Sequence, residues 1–449
     1  MSTDTVRAGA AEEAVERRRE QHGWYFYDWA CSVYSTSVLT VFLGPYLTAV
    51  AKHAADADGF VHPLGVPVRA GSFFAYAVSA SVILSIFVMP MAGAAADRTG
   101  RKKPLLAAAA YLGAAATTGM FFLDGDRYLL GGLLLIVANA SLAVSMVLYN
   151  SYLPQIAPPD ERDAVSSRGW AFGYAAGSLV LVANLILFTA HDSFGVSEST
   201  AVRICLASAG VWWGAFTLVP LARLRDRPTP SAGRTSGNGW RQLAATVRDM
   251  RGQPLTLSFL LAYLIYNDGI QTVISQASVY GSEELGLSQS TLIVAVLLVQ
   301  VLAVGGALGM GRLARTYGAK RTILGSLVAW TFTLAAGYFL PAGAPVWFFV
   351  LASGIGLVLG GSQALSRSLF SHLVPSGKEA EYFSAYEMSD RGMSWLGPLL
   401  FGLTYQLTGS YRDAIISLVA FFAIGFVLLA RVPVRQAVRD AGNPVPDRI

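Results

Sequence analysis

Residues 93–104 read GAAADRTGRKKP and connect the end of one long apolar run, 71–96, to the start of the next, 104–123. The glycines of this stretch allow close helix approach and a tight turn. Asp97 can bind a helix N-terminus or a cation of the other half, and the arginines after it can bridge to carboxylates. Such contacts would hold one closed state and break in another, whereas the alternative is a basic loop with ordinary helix caps. The predicted gating residues are Gly93, Asp97, Arg98, Gly100 and Arg101.

A second copy of this stretch follows 218 residues later, where residues 311–321 read GRLARTYGAKR. Another pair of landmarks, Pro158 and Pro375, differs by 217 residues. Because two unrelated pairs of landmarks are separated by nearly the same number of residues, the sequence indicates a duplicated unit of six spans. The second copy has Arg315 where the first has Asp97, so we expect only the first copy to keep the full gating chemistry.

The composition is that of a polytopic membrane protein. Of the 449 residues 54% are hydrophobic and only 14% are charged, whereas a soluble domain carries about 25% charge. A membrane-spanning helix needs about 20 apolar residues. The twelve predicted spans are 24–50, 71–96, 104–123, 128–153, 167–190, 201–222, 255–281, 290–310, 322–340, 345–370, 382–407 and 413–430. Between the third and fourth spans, Asp124, Asp126 and Arg127 must form a tight turn.

The basic residues are distributed unequally between alternate loops. With both termini in the cytoplasm, 27 of the 33 lysines and arginines fall on the cytoplasmic side and five outside, as the positive-inside rule requires. This asymmetry accounts for the net positive charge without a nucleic-acid partner. The polar N-terminus lacks the pattern of a secretory signal, which favours a plasma or inner membrane. The predicted segments are a cytoplasmic N-tail (1–23), an N-terminal six-helix bundle (24–222), a cytoplasmic linker (223–254), a C-terminal six-helix bundle (255–430) and a cytoplasmic C-tail (431–449).

Asp268 is the leading candidate for substrate or proton binding. It lies near the middle of the seventh span, where an ionisable group costs about 2.5 to 3.5 kcal/mol on insertion scales. Asn267 precedes it, and Gln271 shares its helix face. The alternative is a carboxylate that neighbouring Ser or Tyr hydroxyls satisfy for packing alone.

Asp28, next to Tyr27 in the first span, is the parallel candidate in the other half. It lies about five residues into the apolar stretch, nearer the cytoplasmic mouth. A capping or mouth-lining role and substrate contact are both open. Its equivalence with Asp268 is open as well, because the two residues are 240 apart rather than 218.

Three charged residues lie in the eleventh span. Glu387 and Arg391 are four residues apart and can pair on one helix face, which is an alternative to a role in gating. Asp390 can meet either Arg168 or the Asp97 loop. Arg367, in the tenth span, can contact a substrate carboxylate or, as the favoured interpretation, extend toward the membrane interface.

The chain resembles a known family along most of its length. GAAADRTGRKK resembles the loop signature of the major facilitator superfamily. WYFYDWACSVYST (24–36), LYNSYLPQIAPPDER (148–162), AYLIYNDGIQTVISQASVYGSEELG (262–286) and QALSRSLFSHLVPSGKEAEYFSAYEMSDRG (363–392) are similar to one branch of it. That branch, the unknown major facilitators, includes the autophagy-related vacuolar amino-acid effluxers of fungi. The resemblance implies transport, with amino acids as the leading substrate class.

We therefore expect an all-α membrane protein of twelve transmembrane helices in two six-helix pseudo-repeats. Its expected function is secondary transport of a small polar or zwitterionic metabolite, coupled to protons. Alternatives are an exporter of drug-like or cofactor-sized compounds and a sensor that does not transport. The sequence has no phosphate-binding loop, nucleophile elbow or zinc-protease motif, so we expect no enzyme, cofactor or metal. The expected partners are the substrate, protons and the lipid bilayer, around a monomer.

Overall fold

The computed structural model describes residues 3–227, 248–391 and 396–448, and nearly all of this part of the chain is helical. The helices of the first half are α1 (Thr3–Val33), α2 (Leu43–His53), α3 (Phe73–Thr99), α4 (Lys102–Gly119), α5 (Tyr128–Asn150), α6 (Leu153–Ile156), α7 (Arg162–Thr189) and α8 (Glu198–Arg223). Those of the second half are α9 (Pro254–Val279), α10 (Gln289–Tyr317), α11 (Ala319–Tyr338), α12 (Pro345–Ser371), α13 (Glu379–Arg391), α14 (Leu396–Thr408), α15 (Tyr411–Ser417), α16 (Val419–Arg431) and α17 (Val434–Asp440).

Several short elements complete the fold. Wider π-helical turns continue α1 over Tyr34–Phe42 and α9 over Tyr280–Glu284. Strands β1 (Phe60–Val61) and β2 (Val68–Arg69) form an antiparallel hairpin. The 3₁₀ turns lie at Pro63–Gly65, Ala70–Ser72, Met120–Phe122, Pro159–Glu161 and His191–Phe194.

Ten helical stretches of the described chain are long and apolar enough to cross a membrane. They are Glu12–His53, Ala70–Thr99, Lys102–Phe122, Tyr128–Ile156, Pro159–Thr189, Glu198–Arg223, Pro254–Ala277, Thr291–Tyr317, Pro345–Ser371 and Tyr411–Arg431. The other two predicted spans, 322–340 and 382–407, are helical as well, as α11 and as α13 with α14, and residues 392–395 lie outside the described part. The predicted all-helical, multi-span architecture is therefore confirmed.

Two turns between spans follow from local sequence. Gly100 ends α3 in the left-handed region at φ 65°, and its N–H bonds to the carbonyl of Ala96 at 2.9 Å. A glycine adopts this conformation without the steric cost of a Cβ, which is why it ends helices so often. The predicted tight turn between spans 3 and 4 is confirmed, since residues 123–127 separate the 3₁₀ turn after α4 from α5.

The chain divides into two compact units whose boundary differs from the midpoint of the sequence. Unit 1 comprises Met1–Tyr149 and Ala175–Pro228, and unit 2 comprises Asn150–Tyr174 and Thr229–Ile449. The segment 150–174, from the first sequence half, therefore packs with the second half. The predicted domain boundaries stay a prediction, and residues 228–247 of the predicted linker lie outside the described part.

Close helix packing within unit 2 depends on small residues. A Cβ on Gly306 of α10 would overlap the carbonyl of Leu357, and a Cβ on Gly360 of α12 would come within 2.5 Å of the Ala303 carbonyl. Small residues of this kind let helix backbones approach in a membrane, where lipid supplies no hydrophobic force between helices. The α10–α12 pair thus gives unit 2 a rigid frame beside its polar residues.

Candidate functional site

Asp268 lies on α9 and is only 3% exposed. Its Oδ2 accepts a hydrogen bond of 2.8 Å from the backbone N–H of Gly397, the second residue of α14. Its Oδ1 is buried and has no hydrogen-bond partner among the described residues. The carboxyl group therefore has one oxygen bound to the backbone of α14 and one oxygen available to bind another group.

The approach of α14 to Asp268 requires a glycine at position 397. A Cβ there would overlap Oγ1 of Thr272, one helical turn beyond Asp268. Thr272 in turn donates a hydrogen bond of 2.7 Å to the Asp268 carbonyl. Gln271, predicted to share this face, is half-buried. Backbone contact at Gly397 thus fixes the position of the Asp268 carboxylate.

Asn267, the neighbour of Asp268, contacts α13, which belongs to the same predicted eleventh span as α14. Its Nδ2 donates to Oδ1 of Asp390 at 2.7 Å, and the hydroxyl of Tyr263 donates to the same oxygen at 2.8 Å. Tyr263 and Asn267 are four residues apart and share a face of α9. The predicted partners of Asp390 were Arg168 or the Asp97 loop, and the contacts with Asn267 and Tyr263 were not predicted. Asn267 and Asp268 hold α13 and α14 on either side of residues 392–395.

A second polar cluster in unit 2 joins a buried cation to a buried anion. Nη1 of Arg367 donates to Oδ1 of Asn150 at 3.3 Å, and Nδ2 of Asn150 donates to Oε1 of Glu387 at 2.7 Å. Arg367 and Asn150 are 1% exposed and Glu387 is 4% exposed. We call these three residues the buried triad. Because guanidinium only donates and carboxylate only accepts, the amide of Asn150 has one orientation that satisfies both neighbours.

Arg367 is held by α7 as well as by Asn150. Its Nε donates to Oγ of Ser166 at 2.9 Å and its Nη2 to the Ser166 carbonyl at 2.8 Å. The guanidinium carbon lies 5.4 Å from the centre of the Trp170 ring. The favoured interpretation, in which Arg367 extends to the membrane interface, is wrong, because these contacts hold the side chain inside unit 2. The predicted pair of Glu387 with Arg391 involves a side chain outside the described part.

The repeat explains how this cluster is built. The offset of 217 between Pro158 and Pro375 also relates Asn150 to Arg367, and it relates Trp170 to Glu387. Asn150 contacts Arg367. Glu387 contacts Asn150, and Trp170 contacts Arg367. The repeat offset therefore relates these four positions in the sequence itself, although the contacts among them were not predicted.

Asp28 lies in unit 1, 4% exposed, and is contacted from the fourth predicted span. The hydroxyl of Tyr149 donates to its Oδ2 at 2.6 Å. Tyr149 is itself held by Trp24, whose Nε1 donates to its carbonyl at 2.9 Å and whose ring stacks on it at 4.4 Å. Tyr27 is fully buried, with its ring centre 5.1 Å from that of Tyr149. Asp28 thus accepts a hydrogen bond from a tyrosine that other aromatic side chains hold in place, and its role stays a prediction.

The predicted gating loop is held by an internal ion pair. Asp97 and Lys102 are both buried, with 3.5 Å between Oδ1 and Nζ. Gly93 is buried, Arg98 is half-buried and Arg101 is exposed. The ion pair fixes the turn around Gly100 between α3 and α4. The proposed latch of Asp97, Arg98 and Arg101 with the other half stays a prediction.

Comparison with known proteins places the chain in a family. The family model described as "Vacuole effluxer Atg22 like" matches residues 16–442. The chain is 30% identical to the uncharacterized MFS-type transporter YxiO of Bacillus subtilis, over 92% of this chain and 95% of that protein. It is 26% identical to autophagy-related protein 22-1 of Aspergillus niger, over 94% and 90%.

The fold is also that of a solved transporter. A crystal structure of the E. coli fucose:proton symporter FucP matches with a TM-score of 0.69, covering 93% of this chain and 98% of that one. The sequence identity is 13%, so this match concerns the fold alone.

Proposed function

Since the chain belongs to the Atg22-like family of major facilitator transporters, we propose that it moves an amino acid, or another small zwitterionic metabolite, in exchange with or together with protons. The family and the fold are those of membrane transporters and not of enzymes. Transport would proceed by alternating access, in which two repeats expose one site to each side in turn.

The observation that carries this proposal is the state of the Asp268 carboxyl group. One of its oxygens is occupied by the Gly397 N–H, and the other is buried without a hydrogen-bond partner among the described residues. A buried carboxylate with an open oxygen can bind the ammonium group of an amino acid or a proton. Ionisable residues inside membrane spans are costly and usually serve transport. Asp268 is therefore the proposed binding or coupling group.

The other predicted site residues have supporting roles in the proposal. Asn267 and Asp390, joined at 2.7 Å, would keep α13 in place beside Asp268. Asp28, Tyr27 and Gln271 would contribute to substrate binding, and the gating loop from Gly93 to Arg101 would close the cytoplasmic side. We place the monomeric chain in a plasma or inner membrane with both termini in the cytoplasm, because the positive-inside rule favours this topology.

Proton coupling is the finer part of the proposal. FucP, which shares the fold, is named as a proton symporter. In this chain, a carboxyl group that can exchange a proton and contact α14 at the same time offers a way to link protonation to helix position. The amino-acid substrate rests on the resemblance to the fungal effluxers.

The test is a flux assay with purified protein in liposomes that contain a pH-sensitive dye. We expect a proton flux with a subset of the common amino acids, and loss of that flux in Asp268→Asn, which keeps the shape of the side chain. The matched control is Asp192→Asn, whose side chain is 95% exposed, and this variant should transport normally. Normal flux in Asp268→Asn would refute its role. Counterflow of another metabolite only, without any amino-acid flux, would refute the substrate class.

A further inference from the structure

In the buried triad, the side-chain amide of Asn150 donates a hydrogen bond to the carboxylate of Glu387 and accepts one from the guanidinium of Arg367. We propose that Glu387 is a second proton-binding group, and that its protonation releases the contacts between the segment 150–174 and helices α12 and α13. This inference rests on the proposed proton-coupled transport, although its test requires no substrate.

The contacts that would be released are all within unit 2. Ser166 on α7 donates to the carbonyl of Ala364 at 2.6 Å while it accepts from Arg367. Tyr174, near the middle of α7, donates to Oε1 of Gln363 at 2.9 Å. Together with Asn150, these residues connect the segment 150–174 to α12 and, through Glu387, to α13. Alternating access moves elements of the first half relative to those of the second, so these contacts must break during a transport cycle.

The triad is electrically balanced only while Glu387 is ionised. Arg367 keeps its charge at any relevant pH. A hydrogen bond to a carboxylate is roughly twice as strong as one between neutral groups. A proton that adds to a carboxylate oxygen of Glu387 therefore weakens the Asn150 bond, and it removes the negative charge of Glu387 from the neighbourhood of the buried cation, which is costly. No other bond needs to form or break in this step.

The charged and titratable groups near Glu387 support this assignment. Tyr386 and Asp390 lie on its own helix, Tyr263 approaches from α9, and Arg367 approaches from α12 through Asn150. On α7, the carboxyl group of Asp163 lies against Ser368, the neighbour of Arg367. The two tyrosines stack on each other at 4.4 Å. Asp390 already accepts two hydrogen bonds from α9. Glu387 is the carboxylate that the Asn150 amide connects to the buried cation, so its charge state acts on the contacts with α7.

The experiment measures the accessibility of one cysteine in the absence of substrate. Ser368, next to Arg367, is fully buried and would be replaced by cysteine after Cys31→Ser, Cys205→Ser and Asp163→Asn. The last change is needed because the carboxyl group of Asp163 lies against Ser368 and could itself respond to pH. The rate of maleimide labelling in proteoliposomes is divided by the rate for the denatured protein at the same pH, because thiol reactivity itself depends on pH. From about pH 8 to about pH 4, a range that includes the ordinary pKa of a glutamate side chain, about 4.3, we expect this ratio to rise about tenfold, as expected for a weakened charge-assisted hydrogen bond.

Three variants define the outcome. Glu387→Gln, which imitates the protonated group, should be labelled quickly at both pH values, whereas the control Glu381→Gln on the same helix should keep the pH response. Asn150→Ala keeps both charges but removes the bridge, so it should also be labelled quickly, which guards against misfolding in Glu387→Gln. The same pH response in Glu387→Gln as in the parent, or no response in the parent, would overturn the proposal. A pH response without amino-acid flux would refute the proposed substrate and leave the role of Glu387 standing.

Discussion

Residues 148–170 and 365–387 occupy equivalent positions in the two repeats but carry different chemistry. Leu148, Ser151 and Pro158 recur unchanged as Leu365, Ser368 and Pro375, at an offset of 217. Other positions have changed in polarity or charge. The equivalent pairs are Asn150 and Arg367, Glu161 and Lys378, Arg162 and Glu379, and Trp170 and Glu387.

The difference between the two segments follows from their contact with each other. Where two copies of one segment contact each other, two identical charges at the contact would repel. Here Asn150 binds Arg367, and Arg162 interacts electrostatically with Glu379. Divergence of charge between the copies has therefore turned a repeated segment into a complementary pair.

The same divergence changes how the two helix ends are capped. Nε of Arg162 donates to the Ala157 carbonyl at 3.2 Å. At the equivalent position the second copy has Glu379, whose carboxylate cannot donate. The equivalent carbonyl, that of Val374, instead accepts from Nδ2 of Asn443 at 2.7 Å. A residue of the C-terminal segment thus supplies the donor that the second copy lost.

The largest effect is expected from removing the charged member of the central pair. Arg367→Met leaves Glu387 buried without its cation, and breaking one partner of a buried ion pair costs about 3–5 kcal/mol. The neutral equivalent, Asn150→Leu, should cost about 1–3 kcal/mol. Thermal unfolding midpoints in detergent measure both. The double variant Arg367→Met, Glu387→Gln should recover part of the loss, and equal damage in all three would contradict the account.

A smaller effect is expected at Arg162. Its guanidinium also donates to the Ser371 carbonyl at 2.8 Å, so Arg162→Met should lower stability by about 1.5–3 kcal/mol, the range for hydrogen bonds to charged groups. Arg162→Glu should be worse, because it faces Glu379. The double variant Arg162→Glu, Glu379→Arg exchanges the two charges. Its unfolding midpoint tests whether the attraction between positions 162 and 379 contributes to stability. A midpoint no higher than that of Arg162→Glu alone would show that it does not.

The fold was accessible from sequence because hydropathy, basic loops and the repeated glycines all act locally. Asp268 could be selected for the same reason, as a carboxylate in the middle of an apolar run. The orientation of Arg367 could not, because hydropathy gives the depth of a residue in the membrane but not its partners. The contacts of Asp390 with Tyr263 and Asn267 depend on the register between α9 and α13, which one sequence does not supply.

The capping difference predicts a moderate effect at Asn443. Its Nδ2 donates to the carbonyls of both His372 and Val374. Asn443→Ala should therefore lower stability by about 1–2 kcal/mol, since each hydrogen bond contributes about 0.5–1.5 kcal/mol. Limited proteolysis of the C-terminal segment, together with the unfolding midpoint, would report the loss. Gln436→Ala, on the exposed side of α17, is the control, and an equal loss there would contradict a specific cap.

The smallest effect should come from Trp170, the neutral equivalent of Glu387. Its ring face lies against the Arg367 guanidinium, and a phenylalanine keeps a weaker face there, so Trp170→Phe should cost about 0.5–1 kcal/mol. The control is Trp347→Phe, whose parent residue is exposed. If protonation of Glu387 releases the contacts between the segment 150–174 and α12, the contact of Trp170 with Arg367 is lost with them. The loss in unfolding midpoint caused by Trp170→Phe should therefore be smaller at acidic pH than at neutral pH. An equal loss at both would mean that this contact persists when Glu387 is protonated, which would contradict the proposed release.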